Sequence, residues 1–438
     1  MSYVDLLTVA EWTVDVVRMR PHLLTVPALL ALLVSPIGAQ VMSGRAPVAP
    51  AAVFFPARLA RLDSVFGTLV ADQRIPGAVV MLVKDGAVVV HKAYGVRDLG
   101  TKVPMQTDDI FRIASQTKAI TSLAVMMLWE EGKFGLDDPI GRYLPEFRRQ
   151  TLLTKFNAAD SSFESRPANR RMTIRQLLTH TSGLDYPQIG SDNFQALYAK
   201  AGFTAGIGDA SGATLADKIA TLGTLPLKHE PGEQFTYGLS IDVLGRLIEV
   251  MSGRSLDVFL QTRIFAPLGM KDTYFGIPAA KHARLVGLHE EKDGKLTVSH
   301  SSIAGLDPDW PIKPVTYFSG GGGLSGTTLD YARFLQLFLN GGELDGTRLL
   351  SRKTVQMMLT NQIGTLQPNF GLGFQLETEQ NDSRSPLTIG SFSWGGAFAT
   401  TYWADPKEKL VALIYLNVFD ASVPIESLFQ TLVYSALR

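Results

Sequence analysis

The chain has 438 residues, 46% hydrophobic and 19% charged, close to the average soluble globular protein, which excludes wholesale disorder, a collagen-like fibre and a many-span membrane protein. Its 41 Lys and Arg balance 41 Asp and Glu, so no net field favours nucleic acid or an anionic membrane as partner. The absence of cysteine removes disulfides, thiol nucleophiles and thiolate-held metal centres.

Near the N-terminus, Arg18 and Arg20 precede an apolar stretch at 23–34 and then Ser35, Pro36, Ile37, Gly38 and Ala39. A basic segment, a short apolar core and a small residue at the cleavage point form the layout of a secretory signal. Residues 1–39 are therefore expected to be a signal peptide and the protein secreted or periplasmic. The stretch is shorter than the roughly 20 apolar residues a bilayer span requires, so no stable span is expected in the mature chain. Residues 1–17 are a poor start for such a signal, which leaves Met19 open as the true start. Residues 40–56 are rich in Pro and Ala and read as a linker.

Two Val-rich runs, 78–84 and 87–93, flank Asp85-Gly86, which predicts a β-hairpin. Next comes Ser115-Gln116-Thr117-Lys118, the one S-x-x-K of the sequence, preceded by Phe111-Arg112-Ile113-Ala114 and followed by a helical run to Glu131. If Ser115 opens that helix, Ser115 and Lys118 share a face, because positions three apart are neighbours. A hydroxyl becomes a good nucleophile only when a base takes its proton, and a lysine serves if burial disfavours its charged form. The helix N-terminus adds N–H groups near the developing negative charge. The plain alternative is a capping serine beside an exposed lysine.

Tyr237 follows the turn Glu230-Pro231-Gly232-Glu233 and precedes a predicted helix at 241–251. From there it could shuttle a proton between serine and leaving group, or simply pack with its hydroxyl on a carbonyl. Further helices are predicted at 256–265 and 329–339, and exposed loops at 202–212 and 377–386. Gly321, Gly323 and Gly326 imitate a dinucleotide loop, but that loop needs a βαβ unit around it, and a tight turn beneath a site is the better reading. In Ser393-Trp394-Gly395-Gly396-Ala397-Phe398, paired glycines entering a strand mark close backbone approach. If that strand edges the site, the N–H of Ala397 joins that of Ser115 as an oxyanion hole. The runs 398–404 and 410–417 around residues 405–409 predict a second antiparallel pair.

Strands at both chain ends with helices between them predict an α+β fold. One antiparallel sheet is formed from both ends, with flanking helices and a mainly helical insertion. The sheet domain is expected at 57–136 and 300–438, carrying the S-x-x-K helix, and the helical domain at 137–299, carrying Tyr237. No G-x-S-x-G, H-E-x-x-H or Walker A pattern is present, so α/β-hydrolase chemistry, zinc hydrolysis and phosphoryl transfer lose their support.

S-x-x-K, then Tyr, then a Gly-containing strand, in that order, resembles the serine β-lactamase and penicillin-binding-protein superfamily, in its class C-like branch. The segments Thr173-Ile174-Arg175-Gln176-Leu177-Leu178-Thr179-His180-Thr181-Ser182-Gly183-Leu184 and Phe265-Ala266-Pro267-Leu268-Gly269-Met270-Lys271-Asp272-Thr273 are typical of it. With the glycine run they extend the resemblance over most of 57–437. The resemblance implies a β-lactamase-like fold and makes His180 structural, orienting the turn into Ser182-Gly183, rather than a catalytic base.

Two departures bear on substrate. Lactam-directed members usually carry Y-x-N and K-T-G or H-T-G, where this chain has Tyr237-Gly238-Leu239 and Trp394-Gly395-Gly396. Loss of the cation and the amide weakens recognition of an anionic lactam. The combination is similar to the family VIII carboxylesterases, which share the fold and hydrolyse short-chain esters. The implied reaction has Ser115 as nucleophile, Lys118 and Tyr237 as acid/base pair, and the N–H groups of Ser115 and Ala397 around the oxyanion. Trp394, Gly395, Gly396, Tyr186 and Phe318 are expected to line the pocket of a small-molecule ester, with Trp310 a further candidate. No metal or organic cofactor is required. A β-lactamase or D-Ala-D-Ala peptidase, an acyltransferase and a non-catalytic binding relative are the rivals.

Overall fold

The computed structural model describes residues 53–203, 207, 211–300 and 306–438. The expected signal peptide and most of the expected linker lie outside the described residues. Strands β1 (Gly77–Lys84) and β2 (Ala87–Gly95) form the hairpin that Asp85-Gly86 predicts. Asp85 has φ 54° and Gly86 φ 79°, the left-handed pair that a two-residue turn of right-twisted strands requires. Strand β1 is apolar on both faces because each face feeds a separate core. Val79, Met81 and Val83 enter one, and Ala78, Val80 and Leu82 the other.

The rest of the sheet comes from the chain end: β3 (Gln375–Leu376), β4 (Phe392–Gly396), β5 (Thr400–Asp405) and β6 (Leu410–Tyr415). The order is β3-β4-β5-β6-β1-β2, antiparallel throughout, and the two ends of the chain meet where β1 pairs with β6 from Val79↔Tyr415 to Lys84↔Leu410. The antiparallel sheet built from both chain ends is therefore present, as the sequence predicts.

Helices α1 (Arg61–Ala71) and α5 (Ile425–Ala436) cover the outer face, with Phe66 and Phe429 edge to face at 6.2 Å. On the inner face α4 (Thr328–Leu339) packs against β1, β5 and β6, and α2 (Thr117–Glu130) and α3 (Ser240–Ser252) pack on each other within the same core. Helix α2 is buried from Thr117 to Leu128, as expected for a helix apolar on all sides. Thr327 caps α4 by accepting the Asp330 N–H, and α3 stops at Gly253, whose φ is 68°.

The structure corrects one expectation and refines another. The predicted linker ends too late: Phe54 pairs with Leu437 and is fully buried, and Phe55 N–H donates to Ala436 O at 2.8 Å. The helix expected at 256–265 is helical over Leu256–Leu260 and then widens into a π-turn over Gln261–Phe265, just before Pro267, which has no N–H to continue the ladder. The middle of the chain carries strands beside the helices of the expected mainly helical insertion. It holds an exposed hairpin, Thr151–Asn157 with Ser162–Pro167, and a strand, His289–Lys292, that runs parallel to Val418–Phe419 near the chain end. Among the described residues no helix is long and apolar enough to cross a membrane.

Candidate active site

Ser115 does not open α2 directly, as the spacing suggested. It sits in a 3₁₀ turn, Ala114–Gln116, that leads into the helix. Ala114 has φ 43°, a left-handed conformation that costs a residue with a Cβ about 1–2 kcal/mol. The surroundings hold it in place. Ile113 N–H donates to Leu324 O at 3.1 Å, Tyr331 Oη donates to Gln116 O at 2.8 Å, and Tyr415 Oη to Gln116 Oε1 at 2.5 Å. The end of β4 presses on the same turn: a Cβ on Gly396 would lie 2.5 Å from Ile113 O. Ala397, next in line, is exposed at the tip of the β4–β5 hairpin.

One turn into α2, Lys118 is 3% exposed and points back at the serine. Its Nζ donates to Ser115 Oγ at 3.2 Å and to Gly321 O at 2.6 Å. Tyr237 Oη donates to the same Ser115 Oγ at 2.6 Å. The structure thus brings together the three residues that the motifs singled out, with Ser115 and Tyr237 half-buried and Lys118 beneath them.

Tyr237 is held by the 180–185 segment. Thr236 N–H donates to His180 O at 2.8 Å and Leu239 N–H to Asp185 O at 3.2 Å. Between them a Cβ on Gly238 would lie 2.3 Å from Leu184 O, so only glycine fits there. Leu239, at the place of the missing asparagine, is fully buried in the core and offers the site no donor. His180 is buried with its ring 4.9 Å from that of Tyr237, and burial first, then the charge of Lys118, holds its pKa well below the usual imidazole value. It is a neutral packing group, as the resemblance implied.

An aromatic wall surrounds the trio. Tyr186 stacks on Tyr237 at 5.6 Å, and Trp394 lies 5.4 Å from it. Asp185 fixes Tyr186 by accepting its N–H at 2.9 Å while pairing with Lys228 at 2.9 Å. Phe370, which sequence reasoning missed, stands edge-on to Trp394 at 5.4 Å. It sits in an irregular loop where no periodicity could reveal it. Phe318 packs on Phe275 at 5.3 Å. Trp310 belongs to a third apolar cluster, with Ala114, Ile207, Leu306 and Phe398.

The glycine run is a turn beneath the site, not a cofactor loop. Its neighbouring strand, Ser325–Gly326, pairs antiparallel with Phe111–Arg112. Gly320 O accepts from Thr121 Oγ1 at 2.8 Å, and Gly321 O accepts from Lys118. Below it lies Asp242, fully buried at the start of α3.

The Beta-lactamase family model matches residues 62–432. Esterase EstB of Burkholderia gladioli is 31% identical over 372 residues, covering 82% of this chain and 90% of that one. Lovastatin esterase of Penicillium rubens is 30% identical over 398 residues, covering 83% and 94%. Among solved structures, EstCE1, described as a hydrolase with promiscuous acyltransferase activity, superposes with a TM-score of 0.74 at 25% identity, covering 86% of this chain and 98% of that one.

Proposed function

Because the chain belongs to the Beta-lactamase family, with serine hydrolases and acyltransferases of that fold among its relatives, we propose that it is a carboxylesterase acting through an acyl-enzyme on Ser115. The observation that carries this reading is the shared serine oxygen, 2.6 Å from Tyr237 Oη and 3.2 Å from Lys118 Nζ. Ser115 Oγ bonds to the ester carbonyl carbon as its proton passes to the Lys118–Tyr237 pair. The N–H groups of Ser115 and Ala397 receive the oxyanion, each such donor contributing roughly 10²–10³ in rate. Tyr237 protonates the departing alkoxide, and water, deprotonated by the same pair, releases the acid. Trp394 stands where lactam-directed members carry a Lys or His, and with Tyr186 beside Tyr237 it offers an apolar wall that suits an uncharged short-chain ester.

The test compares the native protein with Ser115→Ala on p-nitrophenyl butyrate and nitrocefin. Ester turnover is expected to exceed lactam turnover, and Ser115→Ala to lower it by about 10³-fold or more with the fold intact. Dominant nitrocefin cleavage, or a variant that keeps its rate, defeats the proposal. Acyl transfer is a second reading, favoured by the description of EstCE1. An acceptor alcohol added to the same assay separates the two, since a transferase yields new ester in place of acid.

A further inference from the structure

The buried carboxylate of Asp242 has no part in the chemistry above, yet its surroundings are unusual. Ser319 Oγ donates to its Oδ1 at 2.6 Å, Tyr317 Oη at 3.1 Å and Gly321 N–H at 3.2 Å. All three donors converge on one oxygen. The other, Oδ2, is buried with no hydrogen-bond donor among the described residues. An asparagine would satisfy the same three donors with its amide oxygen, so hydrogen bonding alone does not call for a carboxylate here. A buried anionic oxygen without a donor requires a nearby positive charge.

That charge is Lys118. A single residue, Gly321, spans the two groups, its N–H on Asp242 and its C=O accepting from Lys118 Nζ. Any Cβ at Gly321 would lie 2.4 Å from Oδ2, so glycine is needed for this approach. The amine also lies 4.6 Å from the ring centre of Tyr237 and 5.4 Å from that of Tyr186, over faces that favour a cation. Burial raises the Asp242 carboxyl above its ordinary value, a rise that Ser319, Lys118, Gly321 and Tyr317 reduce without cancelling.

We propose that Asp242 is a positioning residue, the buried counter-ion of Lys118, held against it through Gly321, on which the charge around Ser115 depends. This rests on the acyl-enzyme reading and adds a residue to it. The titratable groups facing the Lys118–Asp242 pair are Tyr186 and Tyr237 over the amine, Tyr317 on the carboxylate, and His180, which is neutral.

Asp242→Asn tests it. Removing a buried negative charge eases every proton loss from the Lys118–Tyr237 pair, so both limbs of the kcat/KM–pH profile are expected to move acidward, by about one unit or more. A purely structural residue would lower kcat and leave the profile where it was, and an unmoved or alkaline-shifted profile overturns the proposal. A thermal-melting cycle guards against a variant that folds poorly. Lys118→Met strands the carboxylate, so Lys118→Met/Asp242→Asn is expected to melt above Lys118→Met alone, and additive losses overturn the proposal. Melting reads the charge coupling without turnover. Failure of the esterase reading would show in Ser115→Ala and leave this cycle intact.

Discussion

Two adjacent glycines in the W-G-G segment have different jobs, and their surroundings tell them apart. A Cβ on Gly396 would sit 2.5 Å from Ile113 O and 2.3 Å from Thr400 Oγ1, and the first of these is backbone that cannot swing away. Gly396→Ala must therefore push the hairpin off the strained turn that carries Ser115. The expected cost is about 1–3 kcal/mol of stability, and about 10²-fold in kcat/KM if the turn moves by an ångström. A Cβ on Gly395 meets only Thr400 O, at 3.4 Å, which is ordinary contact. Gly395→Ala should melt with the native protein and raise KM, because the added methyl then stands where the substrate approaches. Melting curves and steady-state kinetics on both variants check this. Native behaviour of Gly396→Ala would show that the close approach is not needed.

At the scale of the element, the seam between the chain ends carries much of the fold. Phe54 is wholly buried against the outer core, and its partner Leu437 ends the chain's last helical segment. Phe54→Ala is expected to lower the urea midpoint by an amount worth about 3–5 kcal/mol, and a chain starting at residue 57 to show a similar loss beside one starting at 53. An unchanged midpoint would restore the linker reading of 53–56. A window dominated by Pro and Ala hid that anchor, because one buried aromatic leaves no periodic trace.

Elements with local signals were legible. Asp85-Gly86 announces its hairpin through turn chemistry, and 329–339 announces α4 through helical spacing. The exposed hairpin over Thr151–Asn157 and Ser162–Pro167 was not legible, since Lys155, Glu164 and Arg166 make it polar on the faces an alternation test would read. The trio of Ser115, Lys118 and Tyr237 was legible because ordered motifs mark it. Asp242 was not, since an acid in a helix's first turn looks like ordinary dipole compensation, and only the packing of Gly321 on it reveals its charge partner.

The response of the whole molecule to acid is set by buried groups far from the serine. His289 is fully buried where its strand meets Val418, with Leu99 N–H donating to Nε2 at 3.2 Å and Nδ1 3.4 Å from Asn417 O. Burial lowers its pKa from 6.5 to about 4. A folded value below the unfolded one means that its contribution is complete above about 6.5 and is lost as pH falls towards about 4, in all about 3 kcal/mol. Asp109 and Asp330 act the other way. Burial raises each to about 6, so their contribution is complete below 3.8 and is lost as pH rises through 6. Between about pH 6 and 4 the His289 slope offsets that of roughly one of the two carboxyls. His289→Gln removes one side of that balance. Urea midpoints at pH 7 and 4.5 should then show the variant gaining about 2 kcal/mol at the lower pH relative to the native protein, beyond any constant difference between them. Parallel profiles for the two proteins would mean that His289 is not held neutral by the fold.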